Sequence, residues 1–294
     1  MNIGLIDVDG HNFPNLALMK ISSWHKQQND HVEWWNGLKR YDRVYMSKVF
    51  DSTYTPDMEY CINADEVIAG GTGYDLKNKL TDEIENQCPD YSLYRFHESY
   101  GFLTRGCPNN CKFCIVSKKE GCVSHQVSNL RDFHKEKKEI KLLDPNILAC
   151  RDHEELLQQL SGSGAWVDFT QGLDIRLTTK DNIELLNRIK TKMVHFAWDN
   201  PKQDLTEYFK RFNKHSNIKD YRKKNVYVLT NFGSTHDEDL HRIYTLRKLG
   251  YNPYIMIYDK PHAPRRVRML QRWVNNRIIF RTIEKFEDYD HKIG

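Results

Sequence analysis

No stretch of this 294-residue chain approaches the roughly 18 to 20 consecutive apolar residues that a membrane-spanning helix requires. Neither sign of charge dominates: 44 Lys and Arg stand against 40 Asp and Glu, a formal net charge of +4. A membrane-spanning helix is excluded, and no membrane partner is expected. The opening Met1-Asn2-Ile3-Gly4-Leu5-Ile6-Asp7 lacks the basic start and apolar core of a signal peptide, which predicts a cytoplasmic chain. Proline (9) and glycine (15) are sparse, and no Gly/Ser, Pro or Gln/Asn tract and no internal repeat interrupts the chain. With 12% aromatic residues, extensive disorder is excluded. Cysteine is what the composition does contain. Seven is an odd count, and a reducing compartment disfavours a disulfide framework, so metal or redox chemistry is indicated.

The small net charge conceals an asymmetry. Residues 1 to 98 carry 9 basic and 16 acidic side chains, net −7, whereas the remainder carries 35 and 24, net +11. A basic part attracts phosphates and other polyanions where an acidic part does not. The division predicts an acidic domain over 1–98, a core over 99–258 and a basic helical extension over 259–294.

The opening reads as strand, turn and helix: Ile3 to Val8, Asp9-Gly10-His11, then Leu16, Leu18, Met19, Ile21 and Trp24 at helical spacing behind Pro14. Strand-like runs follow at His31 to Trp35, Arg43 to Val49 and Glu66 to Ala69, the last meeting Gly70-Gly71-Thr72-Gly73. These imply a small parallel sheet of Rossmann-like type. Six further runs come after residue 99: Gly101 to Thr104, Ile140 to Leu143, Trp166 to Phe169, Met193 to Ala197, Val226 to Leu229 and Tyr254 to Ile257. Helical stretches such as those opening at Asp152 and Asp181 separate them. The expected fold class is α/β, with the first parallel sheet followed by a partial TIM-type (β/α)6 barrel whose chemistry lies at the C-terminal ends of its strands.

Directly after the first of these six strands stands Arg105-Gly106-Cys107-Pro108-Asn109-Asn110-Cys111-Lys112-Phe113-Cys114. Three thiolates at CxxxCxxC spacing on one loop can hold three irons of a cubane cluster, and no fourth cysteine follows at ferredoxin-like spacing. One iron is then left open, which is what separates a catalytic metal site from a structural one. A zinc site would rather pair two CxxC knuckles or add histidines. The remaining cysteines, Cys61, Cys88, Cys122 and Cys150, include no close pair.

This loop, with Phe113 just before its last cysteine, resembles that of the radical S-adenosylmethionine (SAM) superfamily. The resemblance implies that Cys107, Cys111 and Cys114 ligate a [4Fe-4S] cluster whose unique iron chelates SAM. It further implies reductive cleavage to a 5′-deoxyadenosyl radical that acts on a substrate, with a donor such as flavodoxin or ferredoxin supplying the electron. Methyltransferase, methylthiotransferase and oxidoreductase chemistry are all open to such an enzyme.

Asp144 and Asn146, in Leu143-Asp144-Pro145-Asn146, are similar to an Asp-rich turn that several of these families place beside the SAM amino group; Asp-Pro-Asn is equally an ordinary turn. Gln171, Asp174 and Arg176, in Gln171-Gly172-Leu173-Asp174-Ile175-Arg176, resemble a strand end that meets the SAM carboxylate or ribose. Alternation aims Gln171 away from Asp174 unless Gly172 bends the chain. Phe113 and Thr230 complete the expected cofactor contacts.

The first 98 residues resemble the cobalamin-binding-type domain that precedes the barrel in one group of the superfamily. That group's pattern is Asp-x-His-x-x-Gly, whereas this chain reads Asp7-Val8-Asp9-Gly10-His11, with aspartate at the third position. At the other end, Asp259 to Arg281 holds seven basic residues and one acidic. Met269, Leu270, Trp273, Val274 and Ile278 mark an apolar helix face. Arg265, Arg266, Arg268 and Arg272 are candidate contacts to a phosphorylated or nucleic-acid substrate. The alternative reading is a zinc-stabilised nucleic-acid-binding protein without catalysis.

Overall fold

The structure, a computed structural model, describes every residue except His11, Asn12, Met58, Glu59, His291, Ile293 and Gly294. The chain divides into two compact units, Met1–Gly101 with Ser128–Lys137, and Phe102–Val127 with Lys138–Gly294.

In the first unit β1 (Asn2–Asp7) leads to α1 (Leu16–Gln27), whose N-cap Asn15 accepts the amide of Leu18. Then come β2 (His31–Trp34), β3 (Tyr41–Ser47), β4 (Ala64–Gly70), the short α2 (Asp82–Glu85) and β5 (Glu98–Gly101). The first four strands form a parallel sheet in the order β2-β1-β3-β4. Its core has two layers. Ile3, Leu5, Leu18, Ile21, Tyr45 and Ile84 form one cluster, and Ile6, Tyr41, Val44 and Met46 form the other. Burial on both sides explains the near-continuous apolar run of β1. Among the described residues no helix separates β2 from β3 or β3 from β4, so the strict strand–helix alternation expected here is incomplete. The six residues 35–40 are too few to hold a crossover helix.

The second unit begins with β6 (Thr104–Arg105), which pairs antiparallel with β7 (His125–Gln126) around α3 (Val116–Glu120). The expected strand Gly101 to Thr104 is therefore not formed as one piece. The amides of Leu103 and Thr104 donate to the Asp144 carboxylate at 3.1 and 2.5 Å, which withdraws both from any ladder. The other five strands fall where the pattern puts them: β8 (Glu139–Leu142), β9 (Trp166–Phe169), β10 (Thr191–Ala197), β11 (Lys224–Thr230) and β12 (Asn252–Ile257). They pair in parallel in chain order. Between them run α4 (His153–Ser163), α5 (Lys180–Arg188), α6 (Thr206–His215) and α7 (His236–Lys248). Thr179, rather than Asp181, caps α5, and Thr235 and Glu238 form a capping box on α7.

One face of this sheet packs on helices: Phe196 meets Phe212 of α6 edge-on with ring centroids 4.9 Å apart, among fully buried Ile140, Val167, Val194, Val226 and Val228. The basic tail forms α8 (Arg265–Asn275) and α9 (Arg277–Thr282). Helix α8 closes the β12 edge through side chains. Asn275 Oδ1 accepts the Ile255 amide at 2.8 Å, while Gln271 and Asn275 donate to the Ile255 carbonyl. Leu270, Trp273 and Val274 are buried as expected, but Ile278 is 76% exposed. Asn276 breaks the helix and caps α9 by accepting from Ile278 and Ile279, which turns Ile278 out of the apolar face. Among the described residues no helix is long and apolar enough to cross a membrane.

Candidate functional site

The second unit carries a cleft of about 480 Å³. Its walls come from residues that immediately follow four parallel strands: Pro145 and Asn146 after β8, Gln171 to Asp174 after β9, Asp199 to Lys202 after β10, and Phe232 and Gly233 after β11. The cysteine loop supplies another wall through Asn109 to Phe113. Loops at the carboxyl ends of parallel strands are where α/β folds place ligands, because side chains from several strands converge there.

The loop itself is held from outside. Gly106 has φ +82°, and a Cβ there would lie 2.1 Å from the Val123 carbonyl oxygen, so only glycine fits. Glu120 accepts from Arg105 Nη1 at 2.9 Å and from the Gly106 amide at 3.2 Å. The Cys107 amide donates to the Gly121 carbonyl, and that of Cys114 to the Cys111 carbonyl.

Cys107, Cys111 and Cys114 are half-buried free thiols. Burial pushes the Cys111 thiol up; negative charge at Asp199, Cys114 and Cys107 pushes it further, and Arg176 opposes them. The three sulfurs thus share one electrostatic neighbourhood, in which a cationic metal group would favour the thiolates. The Asn146 amide donates to Cys107 Sγ at 3.8 Å while its Oδ1, buried, has no partner. Among the described residues, no three His, Cys, Asp or Glu side chains lie close enough together to hold a single metal ion. Three cysteine thiols on one loop are a donor set of the chemistry that a cluster taking one thiolate per iron requires.

The cleft brings Phe113, Asn146, Gln171, Asp174 and Arg176 together with Cys111. Gly172 supplies the bend on which this depends: at φ +116° it turns the chain so that Gln171 and Asp174 line the same cleft. Asp174 grips Arg176 through Nε at 2.8 Å and Nη2 at 2.6 Å and also accepts from Asn109 at 3.0 Å. The carboxyl is opposed by burial but held low by Arg176 and Asn109. Arg176 is therefore a braced cation at the cleft wall, with two of its five N–H groups committed. Phe113 packs edge-on against Phe232 at 5.5 Å.

Two expected contacts lie elsewhere. Asp144 is 4% exposed and does not line the cleft. It fastens the chain ahead of the cysteine loop, and burial pushes its carboxyl up to about 6 against the hydrogen bonds from Thr104 and Leu103. Thr230 is fully buried, and its hydroxyl donates to the Met256 carbonyl. Arg265, Arg266, Arg268 and Arg272 are exposed on α8, away from the cleft lining. The wall residues Asn109, Asn110, Lys112, Lys202 and Phe232 escaped the sequence reading, although each follows a strand end or sits inside the cysteine motif. Asp199 also lines the cleft, pushed up to about 6 by burial.

No protein-family model and no curated protein matches the chain. Among solved structures it is similar to the radical S-adenosylmethionine methyltransferase TsrM from Kitasatospora setae. With cobalamin and a [4Fe-4S] cluster bound, that protein aligns at 12% identity and a TM-score of 0.43, covering 86% of this chain and 66% of that one. With tryptophan substrate and the SAM analogue aza-SAM bound, it aligns at 13% identity and 0.43, covering 86% and 67%. The chain thus spans about two thirds of that enzyme's length. Identity this low transfers no residue roles, and those of this chain rest on its own geometry.

In the first unit, Asp9 occupies the position where the cobalamin pattern carries histidine. It is buried and accepts the amides of Val49 and Phe50 at 2.9 and 2.7 Å. An aspartate so engaged is no imidazole ligand, so these residues do not fit a histidine-ligated cobalamin. His11 lies outside the described residues.

Proposed function

We propose that this chain is a radical SAM enzyme. The observation that carries the reading is the opening of the CxxxCxxC loop onto a cleft walled by the carboxyl ends of consecutive parallel strands, the arrangement of a partial barrel. In this reading Cys107, Cys111 and Cys114 hold a [4Fe-4S] cluster, and the domains run 1–98, 99–258 and 259–294. Such a cluster, when bound and reduced, supplies the electron that cleaves SAM to methionine and a 5′-deoxyadenosyl radical.

The chain's own residues bind and orient. Asn146 directs an N–H at the Cys107 sulfur, a contact that tunes cluster potential. Arg176, braced by Asp174, offers fixed charge to a carboxylate. Phe113 and Phe232 pack edge-on and give the cleft an apolar stretch of wall. A small reductant protein of the flavodoxin or ferredoxin class supplies electrons. The exposed arginines of α8 suit a phosphate-bearing substrate through salt-dependent contacts.

Anaerobic reconstitution tests this. The protein should take up about four irons with brown absorption and, given reductant, convert SAM to 5′-deoxyadenosine, or to S-adenosylhomocysteine in a methyl-transfer branch. Cys111→Ala should lose both properties. Retained SAM cleavage by that variant counts against the assignment, and zinc uptake without iron returns the zinc-stabilised binding protein.

A further inference from the structure

Strand β12 has a covered side and an open one. Ile255 is fully buried against the helices, so Tyr254, Met256 and, just past the strand, Tyr258 alternate onto the helix-free side of the sheet. They are 42%, 45% and 43% exposed, and each stands about 7 Å from the next. The row starts at the cleft: the Tyr258 ring packs on Phe232, a cleft wall, with centroids 4.7 Å apart. At its other end Tyr254 is propped edge-on by Tyr227 at 5.9 Å.

Helix α8 lays arginines along the same side. Gln271 and Asn275 face the β12 edge, where both donate to the Ile255 carbonyl. At 3.6 residues per turn, Arg268, Arg272 and Arg265 lie about 60°, 100° and 120° to one side of Gln271, and Val274 and Leu270 about 60° and 100° to the other. The second group is buried, together with Trp273, whose ring packs against Tyr244 of α7 at 6.0 Å. Since α7 covers the helix side of the sheet, the arginines stand on the open side, beside the row of rings. Arg277 follows them. Burial pushes the His195 imidazole down and the charge of Arg277 pushes the same way, and His195 faces the open side with its ring parallel to Tyr227 at 5.2 Å.

This strip is cationic and almost without acids. From Asp259 to Arg281 seven basic residues meet one acidic residue, and that one, Asp259, is held by His262 at 2.8 Å. Guanidinium groups suit phosphate oxygens, and ring faces suit any unpaired base. A duplex would satisfy the arginines but hide its base faces from the rings, and an acidic peptide would leave the rings unused. Bases free to splay onto rings are chiefly those of RNA loops and ends.

We propose that this strip binds single-stranded RNA, its phosphates on Arg268 and Arg272 and its bases on Tyr254 and Tyr258, and leads the strand to the cleft. The proposal deepens the radical SAM reading by giving the substrate class, and rests on that reading only in calling the RNA a substrate.

The test is fluorescence anisotropy of the full-length chain with a labelled oligouridylate of about 12 nucleotides. Its comparison probes are an abasic strand with the same phosphates, a duplex RNA, the deoxy strand and a polyglutamate of equal charge. Oligouridylate should bind, with an affinity that falls between about 50 and 200 mM salt. The abasic strand, the duplex and the polyglutamate should each bind about tenfold more weakly or less, the worth of a stacked base, and the deoxy strand no more tightly than the RNA. Tyr254→Ala, an exposed change that spares the core, should weaken oligouridylate and leave the abasic strand as it was. Arg268→Ala with Arg272→Ala should flatten the log-log salt slope by about 1.4, two single-strand phosphate contacts; Lys77→Ala with Lys79→Ala, the same charge removed from the first unit, should not. No binding at about 50 mM salt, an abasic strand, duplex or polyglutamate that matches oligouridylate, a preference for the deoxy strand, or an unchanged slope in the double arginine variant overturns the proposal. The titration needs no cluster. RNA binding by a protein that never cleaves SAM sustains this strip while removing the proposed reaction, and SAM cleavage by a protein that ignores RNA does the reverse.

Discussion

The Asp144 carboxylate accepts the Thr104 amide at 2.5 Å and the Thr104 hydroxyl at 2.7 Å, tying the turn after β8 to the segment that enters the cysteine loop. The same carboxylate takes the Leu103 amide, so three donors across forty residues of sequence depend on one buried side chain. Asn146, two residues on, reaches Cys107. The Asp-Pro-Asn turn thus aims the cysteine loop from beneath, one residue holding its stem and the other its first thiol.

Replacing Asp144 by alanine leaves those donors buried without an acceptor. The expected loss is about 3 kcal/mol, seen as a lower urea midpoint at unchanged slope. Asp144→Asn recovers part of it, because the amide keeps one oxygen. A midpoint equal to that of the parent protein would show that the turn does not anchor the loop.

Gly172 at φ +116° has room for a methyl group, since a Cβ would meet nothing closer than the His195 carbonyl oxygen at 3.5 Å. The cost of Gly172→Ala is therefore backbone strain, about 1 to 2 kcal/mol, rather than collision. Relief of that strain should rotate Gln171 out of the cleft, so SAM affinity should fall by more than stability does. Calorimetric titration of SAM into the reconstituted variant, beside a thermal melt, separates the two effects.

The first unit has an acid-sensitive tie. Burial alone would raise the Asp90 carboxyl, but bonds from Lys26, Ser92 and Ser22 outweigh it and hold the group at about 2. A carboxyl depressed by folding adds stability that is complete above its unfolded value near 3.8 and is lost as pH falls toward 2. The loss should amount to about 1 to 2 kcal/mol, nearer the lower figure in salt because Lys26 is partly exposed. Asp90→Asn should flatten stability between pH 4 and pH 2, as read from denaturation midpoints of the two proteins across that range; parallel curves would refute the tie.

The sequence alone was enough for what depends on near neighbours. Five strands of the second sheet were legible as short apolar runs because a strand buried against helices must be apolar where it faces them. The three cysteines were legible because one loop carries all of them at ligand spacing. Unreadable was whatever hangs on a contact between distant segments. Asp144 looked like a cofactor contact until its carboxylate was seen to fasten Leu103 and Thr104, and Ile278 looked like core until Asn276 broke the helix. Arg176 carries a charge in any sequence reading, but whether it stands braced at a cleft depends on Gly172 and Asp174.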